Sequence, residues 1–184
     1  MKNLITISAP SGSGKTTLCR RLQKNRPDIE WSVSYTTREK RKTESDGRDY
    51  NFITKEQFED LILNEALAEW ENVHGYYYGT PKATLDTAIK DKITLLLELD
   101  VKGSMSLKKL YPEHAFTIFI LPPSIDHLRN RLRQRGTDSE IRIEIRLKRF
   151  QQEMEYKNRF DFVMVNDNLE IASKELIQTV NDVK

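Results

Sequence analysis

Cys19 is the only cysteine in 184 residues, which excludes an intramolecular disulfide framework and a cysteine-rich zinc site. No apolar run approaches the ~18 residues that a membrane-spanning helix needs. The opening Met1-Lys2-Asn3-Leu4 leads straight into a strand-like segment with no signal-peptide hydrophobic stretch. Charge of one sign is lacking as well: 30 lysines and arginines face 28 aspartates and glutamates, a net charge of +2. A surface that coats polyanions generally is thereby excluded, and any anion chemistry must come from local clusters. Internal repeats, low-complexity linkers and a second domain of independent size are also absent. These absences lead to the expectation of a reduced, soluble, cytoplasmic protein with one compact core and room for small inserted lobes. No nucleic acid, no membrane and no obligatory protein partner is expected.

What the chain does have is a set of short apolar runs, at 4–8 (LITIS), 93–99 (ITLLLEL), 116–121 (FTIFIL) and 162–165 (FVMV). Continuous apolar runs of this length suit strands of a parallel sheet covered on both faces. Helix-like stretches at 15–24, 55–64, 81–90, 124–135, 140–157 and 168–183 alternate with them. The alternation predicts a doubly wound α/β fold. Two regions break the pattern. Residues 32–80 are aromatic and rich in Arg, Thr and Gly, with short alternating pieces at 31–35, 50–53 and 76–78 and one helix, which predicts a small α+β insert. Residues 124–157 are dense in arginine (129, 131, 133, 135, 142, 146, 149) on two helices joined at Gly136-Thr137-Asp138, which predicts a helical lid. The core is then expected in residues 1–31, 81–123 and 158–184.

Ala9-Pro10-Ser11-Gly12-Ser13-Gly14-Lys15-Thr16 follows a strand and opens a helix. This is a phosphate-loop pattern, with Ala9 in place of the usual first glycine. Gly12 and Gly14 permit torsions that turn successive backbone N–H groups toward one anion, and the helix N-terminus adds its positive end. Lys15 supplies a point charge to the β and γ phosphates, and the Thr16 hydroxyl is placed to ligate Mg²⁺. Downstream, Arg38 and Arg41 bracket a short loop whose guanidinium forks could clamp a phosphate monoester. Tyr50 and Tyr78 offer uncharged donors to the same group.

These motifs, with SVSYTTR (32–38), DGRDYNF (46–52), EW (69–70), YYYGTP (76–81), ELDVKG (98–103), PPS (122–124), RLRQRGTDSE (131–140) and ND (166–167), resemble guanylate kinases along almost the whole chain. The resemblance implies a P-loop NTPase fold of the nucleoside monophosphate kinase type, with 32–80 binding GMP. It implies that ATP lies on Ala9 through Thr17, including Ser11, Ser13 and Thr17, with Arg131, Asn166 and Asp167 near its far end. It implies that Ser34 and Glu69 read guanine with help from Thr80 beside Gly79. The GMP phosphate would sit on Arg38, Arg41, Tyr50 and Tyr78. Asp100 would face the acceptor and reach Mg²⁺ through water, and Glu98 is trusted less as a site residue. Arg135 and Arg146 would reach the moving phosphoryl group from the lid; Arg131 and Arg135, four residues apart, share a helix face.

A carboxylate can accept both N1–H and N2–H of guanine and is left unsatisfied by adenine, which is worth ~10⁴-fold in discrimination at a buried site. In-line transfer to a phosphate oxygen needs alignment, water exclusion and charge neutralisation rather than a strong base. Lys15, Arg41, Arg135, Arg146 and the Mg²⁺ cofactor would supply the charge. Arg129, Arg133, Arg142 and Arg149 are read as solvated helix faces, the three histidines as surface or packing residues, and Cys19 as a packing residue. Two rivals stay open: a kinase of the same family with another phosphorylated acceptor, and a non-catalytic module that binds protein partners.

Overall fold

A computed structural model describes residues 2–73, 75–136 and 139–183, with the backbone alone of Arg135. Five strands form a parallel sheet in the order β2-β7-β1-β8-β9. They are β1 (Leu4–Ser8), β2 (Glu30–Trp31), β7 (Leu95–Glu98), β8 (Ala115–Leu121) and β9 (Phe162–Val165). The apolar runs become central strands because both of their faces are covered. On one side α1 (Lys15–Asn25) and α7 (Leu169–Asp182) bury Leu18, Leu22, Leu176 and Val180 against Ile5, Ile7 and Ile118. On the other, α3 (Lys82–Asp91) and α4 (Val101–Leu110) bring Leu85, Ala88 and Leu107 against Leu4, Leu95 and Leu97. The fold is α/β and doubly wound, as the alternation predicts.

A separate four-stranded sheet, ordered β4-β3-β6-β5, is built from β3 (Tyr35–Thr36), β4 (Asn51–Phe52), β5 (Leu67–Val73) and β6 (Tyr76–Pro81). Its helix α2 (Lys55–Leu63) starts at a reciprocal capping box: the Thr54 hydroxyl accepts from Gln57 N, and the Gln57 side chain accepts from Thr54 N. Phe58, fully buried, fastens this helix to the sheet by stacking on Tyr77 at 5.2 Å between ring centroids. Helices α5 (Ile125–Arg135) and α6 (Glu140–Met154) pack together through Leu128, Leu132, Ile143 and Leu147. Gly136, at φ +66°, ends α5; Thr137 and Asp138 of the expected hinge lie outside the described residues.

Several elements differ from the sequence reading. Residues 31–35 are not one piece: Trp31 belongs to the parallel sheet and Tyr35 to the small one. The short alternating pieces read from the sequence do not include β5, whose LAEWENV carries two glutamates that a strand tolerates only when its neighbours accept them. The helix-like stretches do not include α4 either, where Gly103, Ser104 and Ser106 are poor helix formers. Capping overrides that propensity: Asp100 Oδ1 accepts from Gly103 N at 2.8 Å, and Ser8 Oγ bonds the carbonyls of Leu99 and Asp100, both at 3.0 Å. The long helix expected to reach 157 stops at Met154, followed by a single 3₁₀ turn at Lys157–Arg159. No helix among the described residues is long and apolar enough to cross a membrane.

Because Phe58 is the apolar anchor of the small sheet, Phe58→Ala should lower the unfolding free energy by roughly 3–5 kcal/mol, read from urea denaturation. A loss below ~1 kcal/mol would mean that α2 is held by something other than this side chain.

Candidate active site

The carboxyl ends of β1 and β7 open into one cleft, the usual place for a ligand in an open α/β sheet. Its volume is about 950 Å³, and its walls come from the phosphate loop, the small sheet, the end of β7 and the lid helices α5 and α6. Most of the residues expected at the site meet here. Ala9 through Gly12, Gly14 through Thr17, Ser34, Arg41, Tyr50, Glu69, Tyr78, Gly79, Asp100, Arg131 and Arg146 all line it. Ser13, Arg38, Thr80, Asn166 and Asp167 are outside that lining: Ser13, Thr80 and Asn166 are buried, Arg38 is largely covered, and Asp167 is exposed. The Arg135 side chain lies outside the described residues, as does His74.

At one end, Gly12 (φ +94°) and Gly14 (φ +88°) hold the torsions that the loop requires. Ala9 keeps an ordinary negative φ, so its replacement of glycine brings no strain. A Cβ on Gly12 would sit 3.1 Å from Leu128 and Leu132, so α5 packs directly onto the loop. One on Gly14 would run into the Asn166 side chain, whose Nδ2 donates to Ser13 O at 2.7 Å. Asn166 thus props the loop from behind. Arg131 Nη2 donates to the Asn166 carbonyl at 3.0 Å, and Arg146 Nη1 to Ser11 Oγ. Both lid helices therefore contact the loop. Lys15 Nζ rests on Leu99 O at 3.3 Å, and Thr16 Oγ1 on Glu98 Oε2 at 3.4 Å.

At the other end, Arg38 is held rather than exposed. Its guanidinium makes a fork with Glu44, at 2.8 and 3.0 Å, and lies 5.5 Å from the Tyr50 ring centroid. The Arg38 partnership holds the Glu44 carboxyl below its ordinary range. Arg41 behaves differently: its side chain is 68% exposed and only 3.9 Å from Glu44, so it can swing toward an anion. Burial pushes the Tyr50 phenol up to about 12, keeping it a neutral donor.

Glu69, on β5, receives a hydrogen bond from the Thr80 hydroxyl at 2.5 Å. Loss of water around it, with Asp100 and Glu71 as neighbouring carboxylates, lifts its pKa to about 7 against the Thr80 bond. Such a group is a poised acceptor that gains by meeting two N–H donors.

Two residues at the site escape the sequence reading, Arg149 and Glu153, and a third, Glu98, is trusted less than its position warrants. Arg149 is not a solvated helix face. It donates to Asp100 Oδ2 at 3.3 Å and to Glu153 Oε1 at 2.9 Å, joining α6 to the start of α4. Glu153 is buried, its carboxyl raised mainly by that burial, and its Oε2 has no hydrogen-bond partner among the described residues. Glu98, the less trusted acid, stands beside Thr16 with a buried Oε1 that is likewise unpartnered. The signal was present: 142, 146, 149 and 153 follow a 4-3-4 spacing, which is one helix face. Cys19 is fully buried, and burial raises its thiol well above the ordinary value, as a packing residue requires.

A family model described as guanylate kinase matches residues 1–183. A guanylate kinase of Carboxydothermus hydrogenoformans is 45% identical over 94% of this chain and 84% of its own length. One of Neisseria gonorrhoeae is 46% identical over 97% of this chain and 87% of its own. A crystal structure of guanylate kinase from Anaplasma phagocytophilum has a TM-score of 0.80 at 29% identity, covering 98% of this chain and 85% of that one.

The raised Glu69 carboxyl has a signed consequence. An acid whose pKa is higher folded than unfolded binds its proton better in the native state, so its contribution is full below ~4.5 and is lost as pH rises through about 7. Urea unfolding of the parent and Glu69→Gln at pH 5 and pH 8 should show the variant gaining up to roughly 3 kcal/mol relative to the parent at the higher pH. A gap independent of pH would show that Glu69 titrates normally.

Proposed function

The chain belongs to the guanylate kinase family, and from that premise we propose that it transfers the γ-phosphoryl group of ATP to GMP. What carries this assignment is the cleft itself: a phosphate loop and a carboxylate suited to guanine line one cavity. The ATP triphosphate would lie on the backbone N–H groups of residues 11–16, with Lys15 beside its outer phosphates. Asn166 and Asp167 would stand near the adenine end, and Arg131, already bonded to the Asn166 carbonyl, would tie that end to the lid.

GMP would enter the small sheet with its base against Glu69, Thr80 and Ser34. Glu69 would accept N1–H and N2–H as a carboxylate, and the two donors would hold it ionised near neutral pH. The phosphate would meet Arg41, Tyr50 and Tyr78 at the surface, with Arg38 behind them once its fork shifts from Glu44. The acceptor is itself an anionic phosphate oxygen, so the protein's task is alignment and charge. Lys15, Arg41 and Arg146 would supply that charge, and Arg135 would join them from its position at the end of α5. Closure of α5 and α6 over the loop would exclude water and suppress hydrolysis.

Members of this family act on a magnesium–ATP donor, and the residues here fit the ion. Magnesium favours hard oxygen ligands, and the Thr16 hydroxyl sits beside Glu98, whose buried Oε1 has no hydrogen-bond partner among the described residues. Thr16 would hold the ion, with Asp100 reaching it through water. When bound it would neutralise charge on the β and γ phosphates.

An ADP-release assay with magnesium, ATP and each of GMP, AMP, CMP and UMP tests the proposal. Selective turnover of GMP is expected, falling at least a hundredfold in kcat/KM for Glu69→Ala. Equal turnover of another nucleotide, or none with any, would contradict it; activity on a sugar phosphate would favour the rival acceptor.

A further inference from the structure

We propose that Gly103 is a positioning residue for guanine selection, because its missing side chain leaves the space in which the Glu69 carboxylate stands. The inference rests on the reading of Glu69 as the base reader, and extends it to a residue that touches no substrate. Gly103 is the third residue of α4 and is buried. Its φ is not positive, so the backbone does not require glycine there. In a helix glycine is the poorer choice for stability, which leaves its presence to be explained by what surrounds it.

A Cβ at Gly103 would lie 2.6 Å from Glu69 Oε2, 3.2 Å from Glu69 Cδ and 3.3 Å from Asp100 Oδ1. The first separation is far inside contact distance, so something would have to move. The backbones are poorly placed to yield. Glu69 is paired with Thr80 beside the irregularity in β5, and α4 is pinned by buried Leu107 and by the Asp100 cap. What can yield is the end of the Glu69 side chain, and turning it away breaks the Thr80 bond that aims it. Gly79 makes a useful contrast. A Cβ there would meet Leu67, Phe58 and the Glu69 backbone carbonyl, so a substitution would disturb packing first. At Gly103 the atom in the way belongs to a side chain proposed to contact substrate. The same residue also orders the second acid of this wall, since its N–H donates to Asp100.

The test is steady-state kinetics and thermal melting of Gly103→Ala, Glu69→Ala and the double variant in the full chain, with GMP and with IMP, which lacks the 2-amino group. Gly103→Ala should raise KM for GMP tenfold or more and lower the preference for GMP over IMP. It should leave KM for ATP within about twofold and Tm unchanged or higher. In the Glu69→Ala background the same alanine should have no further effect on GMP, because the group it displaces is gone. A GMP KM within twofold of the parent would overturn the inference. So would an equal loss in both backgrounds, or a fall in Tm that Glu69→Ala does not relieve. If Glu69→Ala itself leaves GMP kinetics unchanged, the base-reader assignment fails instead.

Discussion

Two polyanions must be held in one cleft, close enough for an oxygen of one to approach a phosphorus of the other, by a chain whose net charge is only +2. Their mutual repulsion grows as water is removed and the local dielectric falls, so positive charge has to be concentrated there rather than spread over the surface. The structure places it in three groups: backbone N–H groups at the start of α1, arginines in the small sheet, and arginines on the lid. Carboxylates hold much of it in order. Glu44 grips Arg38, while Asp100 and Glu153 share Arg149. These acids keep guanidinium groups arranged inside a partly dry cleft, where unpaired cations would be expensive to desolvate.

Glu69 shows the same physics with the sign reversed. It is an acid among acids, with Asp100 and Glu71 nearby, and its neighbour on the far side is a glycine. Desolvation makes the ionised form unfavourable until donors arrive, and in the proposed complex guanine would bring two. Selectivity would then follow from what the wall leaves unsatisfied rather than from the size of the cavity. This would tie the specificity of the site to α4, whose cap and third residue shape the wall on which Glu69 lies.

Much of the fold was legible because its signals were local. Four apolar runs became the central and edge strands around β1, and the glycines of the phosphate loop announced their own torsions. The missing pieces depend on tertiary context. Helix α4 has a weak intrinsic sequence and exists because Asp100 and Ser8 anchor its start. β5 carries glutamates that read as surface until their partner strand and α4 are in place. At the site, most of the residues that motif spacing singles out line one cleft, but spacing does not reveal their partners. That Arg149 reaches Asp100 follows from how α6 meets the start of α4, and that Glu98 stands beside Thr16 from how β7 meets α1, which no spacing along a single element records. The sequence marks Arg38 as a candidate phosphate ligand, whereas its engagement with Glu44 depends on how the loop folds.

The most direct measurement is a crystal structure of the full chain with GMP and a non-hydrolysable ATP analogue. The account predicts guanine N1 and N2 within hydrogen-bond distance of the Glu69 carboxylate, the GMP phosphate among Arg38, Arg41, Tyr50 and Tyr78, and the triphosphate on residues 11–16. Guanine bound away from Glu69, or the GMP phosphate seated on the phosphate loop, would contradict it.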